Sequence, residues 1–351
     1  MAKKKSDTTQ YDALRRDLTD GTLKRFYIFH GQERYLLEHY LGQMRKTIID
    51  NGMGAFNYRR YEGKDITVPV LQEAVDSLPV FAERTLVEIH DYDVFSKPEA
   101  EREKIISILG DLPEYLCLVI VYDTVEYKPD GRLKTTAAIK KLASVVEFCV
   151  QDQSLLTKWI KKHFSSHGKS IDTRCAEHLA FITGGLMTNL STEIDKVSSY
   201  SREKNITIED IDAVVTPVLD AVTYKLTDAI ANADYSEAAR LTSDLIVMKE
   251  PPHKILYSIT LRLRQLYAAK LCGQSGIDAA QLMDMCSIRY DFQAKMLMRS
   301  AKNISLAACR NAVILSAQTA YAINSSGSDI QPEEHLKALI TDLAASRQVS
   351  V

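Results

Sequence analysis

The chain has 351 residues, a formal net charge of −2 and 46% hydrophobic residues, enough for two or three domains with ample cores. The near-neutral balance excludes a whole-molecule polyelectrolyte for nucleic acid. The longest apolar run, Leu116–Val121, is too short for a bilayer, and the Met1-Ala2-Lys3-Lys4-Lys5 start lacks an apolar signal core, so a cytoplasmic protein without a membrane partner is expected.

Residues 1–150 alternate strand and helix signals. Strand-like runs cover 26–30, 56–61, 85–90, 116–121 and 145–150, with helical stretches at 33–49, 68–78 and 99–109 among those between them. Leu71, Ala74, Val75 and Leu78 recur at i, i+3, i+4, i+7, one face of a helix. This alternation predicts a parallel sheet covered on both sides, with the dense Val/Ile/Leu of 116–121 at its centre.

The first strand, Phe26–His30, runs through Gly31 into a helix, the layout on which phosphate-binding loops are built. A working loop needs GxxxxGK[ST], with backbone N–H groups around the phosphates, a lysine on them and a hydroxyl on Mg²⁺. Here the turn is Gly31-Gln32-Glu33-Arg34, with an acid where phosphate would sit. Asp123, after the 116–121 strand, is placed where a metal-holding acid would stand, yet one acid without the lysine and hydroxyl does no phosphoryl transfer. His30, His39 and His90 show no metal-ligand spacing. The six cysteines, at 117, 149, 175, 272, 286 and 309, include no CxxC and read as reduced thiols. No catalytic residue, metal or cofactor is assigned.

Leu78-Pro79-Val80-Phe81 closes the 68–78 helix and presents an apolar pair ahead of Glu83 and Arg84. The pair either plugs the core under the next strand or protrudes as an anchor for a partner, since aromatic anchors dominate interface energy.

After residue 150 the β signal fades. Helices are expected over Ser154–Ser166, Thr173–Thr183 and Leu190–Ser201, with a capping-box start at Thr207-Ile208-Glu209-Asp210. Thr216-Pro217 marks a boundary. From 218 to 345 seven helices follow, with Glu250-Pro251-Pro252 breaking two of them, as in a helix bundle. Residues 253–302 carry eight Lys and Arg, among them Arg262, Arg264 and Arg289, against three Asp, a local excess of +5. A solvated bundle face accounts for it; a sequence-independent phosphate contact is the alternative.

Several segments, in order and spacing, resemble the delta subunit of the bacterial DNA polymerase III clamp loader along nearly the whole chain. They are Phe26–Leu37, Phe56-Asn57-Tyr58, Tyr61–Asp65, Leu78–Arg84, Leu155–Lys161, Gly184-Gly185-Leu186, Asn189–Lys196, Asp228–Ala231, Glu250-Pro251-Pro252 and Leu261–Leu266. The resemblance implies a degenerate AAA+ α/β domain over 1–150, a small helical lid over 151–215 and an all-α collar over 216–351. It implies a subunit that does not hydrolyse ATP, one copy in a five-subunit ring, meeting the other loader subunits through the collar and primed DNA within the complex. It also implies that Leu78, Pro79, Val80 and Phe81 wedge open the ring-shaped sliding clamp. Val80 is a smaller anchor than the leucine that the family carries there. An ATP-hydrolysing AAA+ loader subunit, or a clamp-independent helical nucleic-acid adaptor with Arg262 and Arg264 as contacts, are the competing readings.

Overall fold

Strands buried on both faces organise the first part of the molecule. The computed structural model describes residues 8–49, 56–288, 290–325 and 330–348; Lys3–Lys5 and Arg289 lie outside them. The chain divides into two units, residues 1–152 and 153–351, which are described separately.

In the first unit an all-parallel sheet has the order β2-β3-β4-β1-β5. Its strands are β1 Phe26–Gly31, β2 Tyr58–Glu62, β3 Thr85–His90, β4 Leu116–Val121 and β5 Ser144–Phe148. This is the parallel α/β sheet, covered on both faces, that the alternating pattern predicts. All six residues of β4 are buried, and successive ones feed opposite layers. Leu118 and Ile120 join Ile28 and Val87 against Leu71 and Val75 of α3 (Val68–Asp76) and Ile105 and Leu109 of α4 (Glu99–Gly110). Cys117, Val119 and Val121 join Tyr27 and Phe29 on the other face, against Leu14 of α1 (Thr8–Thr19) and Leu37, Leu41 and Met44 of α2 (Arg34–Ile49). Burial pushes the Cys117 thiol up to about 12, so it packs as a small apolar group.

The expected strand over 56–61 begins two residues later, which leaves Phe56 exposed outside the sheet. The strand expected over 145–150 is Ser144–Phe148. Two helices have no range in the sequence pattern. In α1 the apolar face is only Tyr11, Leu14 and Leu18, and α5 (Lys134–Leu142) buries Ile139 beside two threonines.

The second unit opens with α6 (Gln153–Ser166), α7 (Thr173–Ile182), α8 (Met187–Tyr200) and α9 (Ile208–Val214). Leu156, Ile160 and Phe164 of α6 and Leu190, Ile194 and Val197 of α8 recur at helical spacing and are buried. The Thr207–Asp210 capping box is formed at the start of α9. A short parallel pair, β6 (Ser170–Ile171) with β7 (Asn205–Ile206), joins the loops that precede α7 and α9. The chain continues through α10 (Leu219–Ala231), α11 (Tyr235–Val247), α12 (Pro252–Gln274), α13 (Ala279–Cys286), α14 (Asp291–Ser300), α15 (Leu306–Asn324) and α16 (Pro332–Gln348). Leu226, Ile230, Leu241, Leu245, Ile259, Leu263 and Leu339 form the core there. No described helix is long and apolar enough to cross a membrane.

One charge lies inside the sheet. Glu88, in β3, is fully buried and accepts a bidentate pair from Arg45 of α2, Nε to Oε1 at 2.8 Å and Nη2 to Oε2 at 2.6 Å. The Tyr58 hydroxyl donates to Oε2 at 3.0 Å, and His90 Nε2 lies 3.6 Å away. Burial alone would raise the Glu88 carboxyl; the contacts from His90, Arg45 and Tyr58 outweigh it and hold it below the ordinary glutamate value. Glu88→Gln keeps the shape and removes the charge, and should cost about 2 kcal/mol at pH 7, since Arg45 retains partial access to water. A carboxyl depressed in the folded state stabilises above its unfolded value and stops doing so as the pH falls through the folded one. Urea denaturation should therefore show the full gap at pH 6–7 and a shrinking one below about pH 4.

Candidate functional site

A parallel sheet has two chemically different ends, and the residues singled out in the sequence lie at both. Gly31 ends β1 and Asp123 follows the carboxyl end of β4, whereas Leu78–Phe81 precedes the amino end of β3. A six-residue strand separates them by about 20 Å.

At the carboxyl end the Gly31–Arg34 turn is closed on itself. Gly31 has φ +130°, and a Cβ there would lie 2.3 Å from the Phe148 carbonyl oxygen, so the strand edge leaves no room for any other residue. The Glu33 amide donates to that same oxygen at 3.0 Å, which turns the chain tightly into α2 and buries the Glu33 side chain. Arg34 forms an ion pair with Asp123. The loop cation and the strand-end acid, the two groups that would hold phosphate and metal, thus neutralise each other. Behind them Asp91 has φ +58° and accepts from the Asp123, Thr124 and Val125 amides at 2.7, 2.8 and 3.0 Å. The three amides after β4 thus already hold a carboxylate. Around this lock lies an open cleft of about 810 Å³ whose lining has Asp123, Glu126 and Glu147 against one lysine, Lys140. That charge balance disfavours a triphosphate.

At the amino end the tip stands out from the fold. Leu78 is 70% exposed, Val80 39% and Phe81 85%, while Pro79 is half-buried beneath them. A core-plug reading of Phe81 is overturned by that exposure. The segment is held rather than loose. Asn57, 2% exposed, donates from Nδ2 to the Val80 carbonyl at 2.8 Å and accepts from the Val80 amide at 2.7 Å. The Asn57 carbonyl also accepts the Leu86 amide of β3, so the brace is anchored in the sheet. Phe81 has φ +52°, an uncommon conformation for a bulky residue, and it lies just after the braced position. Asn57 appears in the sequence only as part of the Phe56-Asn57-Tyr58 motif; nothing in spacing alone joins it to residue 80.

In the second unit the two arginines separate. Arg262 is buried: Nη1 donates to the Tyr224 hydroxyl at 3.0 Å and to Gln265 Oε1 at 2.7 Å, and its guanidinium lies 3.9 Å from the centre of the Tyr224 ring. It is therefore corrected from a surface contact to a packing residue of the bundle. Arg264, two positions on and on the opposite side of the helix, is exposed beside a groove with Tyr257 and Ile323. The basic stretch is partly neutralised locally, Lys254 by Glu250 and Lys295 by Asp291.

Residues 27–149 match the family model of the DNA polymerase III delta subunit, and residues 220–343 that of its C-terminal domain. The chain is 25% identical over 296 residues to DNA polymerase III subunit delta of Bacillus subtilis, covering 83% of this chain and 85% of that one. It is 22% identical over 302 residues to the probable DNA polymerase III subunit delta of Aquifex aeolicus, covering 84% of each. Among solved structures, the Bacillus subtilis DNA clamp loader delta protein shares the fold with a TM-score of 0.54 at 23% identity, over 96% of this chain and 99% of that one.

Removing the brace should loosen the tip without unfolding the sheet. In Asn57→Ala, hydrogen exchange at the Val80 amide is expected to speed up on the order of tenfold or more, the worth of the lost hydrogen bonds. Unchanged exchange there would show that the tip is held by other contacts.

Proposed function

The chain belongs to the family of DNA polymerase III delta subunits, and on that premise we propose that it binds a sliding clamp through the Leu78–Phe81 tip and opens it for loading onto primed DNA. The observation that carries this reading is the exposed, braced apolar tip at the amino end of the sheet. Burying Phe81 and Val80 in a partner pocket supplies on the order of 3–6 kcal/mol before binding costs. A wedge that binds the open interface better than the closed one shifts a strained ring toward opening without consuming ATP. Leu78 extends the contact, and Pro79 stiffens the approach.

Support for a non-hydrolysing role comes from the carboxyl end of the sheet. The ion pair of Arg34 with Asp123 and the Asp91 carboxylate in the amide nest occupy the groups that nucleotide chemistry would need. ATP-driven motion then reaches the tip from partner subunits. Residues 151–215 serve as the helical lid, and 216–351 as the collar that joins those subunits in the cytoplasm. Arg264 is the residue of the original pair offered to DNA or to a neighbouring subunit.

The test is binding of the purified chain to a bacterial sliding clamp without nucleotide. Val80→Ala with Phe81→Ala should weaken binding about 100-fold or more while assembly with the other loader subunits is retained. Clamp affinity unaltered by the double change would remove the tip from its role. ATP turnover by the isolated chain would instead favour the motor reading.

A further inference from the structure

α6 and α8 bring three metal-ligating groups to one point. His163 lies in the last turn of α6, His167 in the turn that follows it, and Asp195 in α8. Both imidazoles turn Nε2 toward the same carboxylate oxygen: His167 is 3.0 Å and His163 3.8 Å from Asp195 Oδ1. All three ligand atoms lie within 4.8 Å of one another. A tetrahedral zinc ion with bonds of about 2.0 Å sets its ligands on the order of 3.3 Å apart, so shifts of less than about 1.5 Å would seat one ion.

We propose that His163, His167 and Asp195 form a binding site for a divalent transition metal, Zn²⁺ foremost, with the remaining position open to water. Two imidazoles and one carboxylate suit zinc and its neighbours in the first transition row, whereas Mg²⁺ and Ca²⁺ take all-oxygen sets. The ligands come from a packed pair of helices. Phe164 and Ile194, adjacent to His163 and Asp195 in sequence, are fully buried, which fixes both backbones. The Trp159 ring lies 4.9 Å from the His163 ring and limits its rotation. Lys196, next to Asp195, is engaged by Glu193 at 2.6 Å. The bound ion would tie the end of α6 to α8 and stabilise the region that carries them. The proposal does not rest on the clamp reading.

The experiment uses the full chain, free of affinity tag and chelator, titrated with Co²⁺ and then Zn²⁺. A tetrahedral Co²⁺ absorption band should saturate near one equivalent and be displaced by Zn²⁺. Zinc at about 100 times its dissociation constant should raise Tm by roughly 3 °C or more. His163→Asn with His167→Asn should abolish both effects, and Asp195→Asn should weaken Co²⁺ binding by about tenfold or more. The exposed His167→Asn alone, folded by circular dichroism, keeps the test valid where the double variant misfolds. His178→Asn is the control, because that imidazole pairs with Asp212 at 2.7 Å elsewhere in the same unit. No band in the wild-type chain, an undiminished band in His167→Asn, or an equal loss in His178→Asn would each overturn the site.

Discussion

Strand direction is the constraint on which the first unit depends. Because every strand of the sheet runs the same way, all loops that follow strands gather at one end and all that precede them at the other. Both faces of β3 and β4 are covered, so neither face offers a surface for chemistry or contact. Only the two ends remain, and they have become opposites. At the carboxyl end, where α/β sheets usually bind ligands, Arg34, Asp123 and Asp91 are engaged by the protein's own groups. The amino end carries apolar side chains that the core does not absorb.

The two ends are closed and opened by the same kind of device, a side chain satisfying backbone groups of a neighbouring loop. Asp91 takes three amides after β4 and leaves no anion cradle there. Asn57 takes the amide and carbonyl of Val80 and so holds an apolar turn in water. Buried polar groups need partners, so each side chain both satisfies itself and fixes its loop. Glu88 does the same within the sheet. It is an acid in a wholly buried strand, stable there because Arg45 and Tyr58 reach it from α2 and β2.

These devices explain which features were legible in the sequence. Periodicity found β4, because a central parallel strand is apolar at every position, and it found α3 through Leu71, Ala74 and Val75. It gave no range for α1 and α5, whose apolar faces are narrow and whose stability comes from packing on the sheet. Leu78 followed the helical spacing, yet α3 ends at Asp76 and Leu78 is exposed, since Pro79 disfavours helix just before it. The composition of the basic stretch did not distinguish Arg262 from Arg264; two positions on a helix put one into the Tyr224 network and the other into solvent. The ion pair of Arg34 with Asp123, the Asn57 brace and the meeting of His163 and His167 with Asp195 join residues far apart in sequence, and only topology brings them together. His163 and His167 did carry a local signal, four residues apart at a helix end.

In the docking role proposed for the tip, the Asn57 brace bears on how a small first anchor would bind. Val80 offers less apolar area than a leucine, and affinity is the surplus of burial over the cost of ordering both surfaces. That cost falls when the turn is already set. Val80 has its backbone fixed by two hydrogen bonds, Pro79 has φ locked by its ring, and Phe81 already holds the left-handed conformation that directs its ring outward. A flexible loop bearing the same side chains would lose backbone freedom worth about 1–2 kcal/mol for each residue ordered on contact. Over three residues that is several times the loss from leucine to valine, about one methylene at 0.8 kcal/mol. In the proposed docking, rigidity set by a buried asparagine would therefore compensate for the smaller anchor, and the strain at Phe81 belongs to the same arrangement.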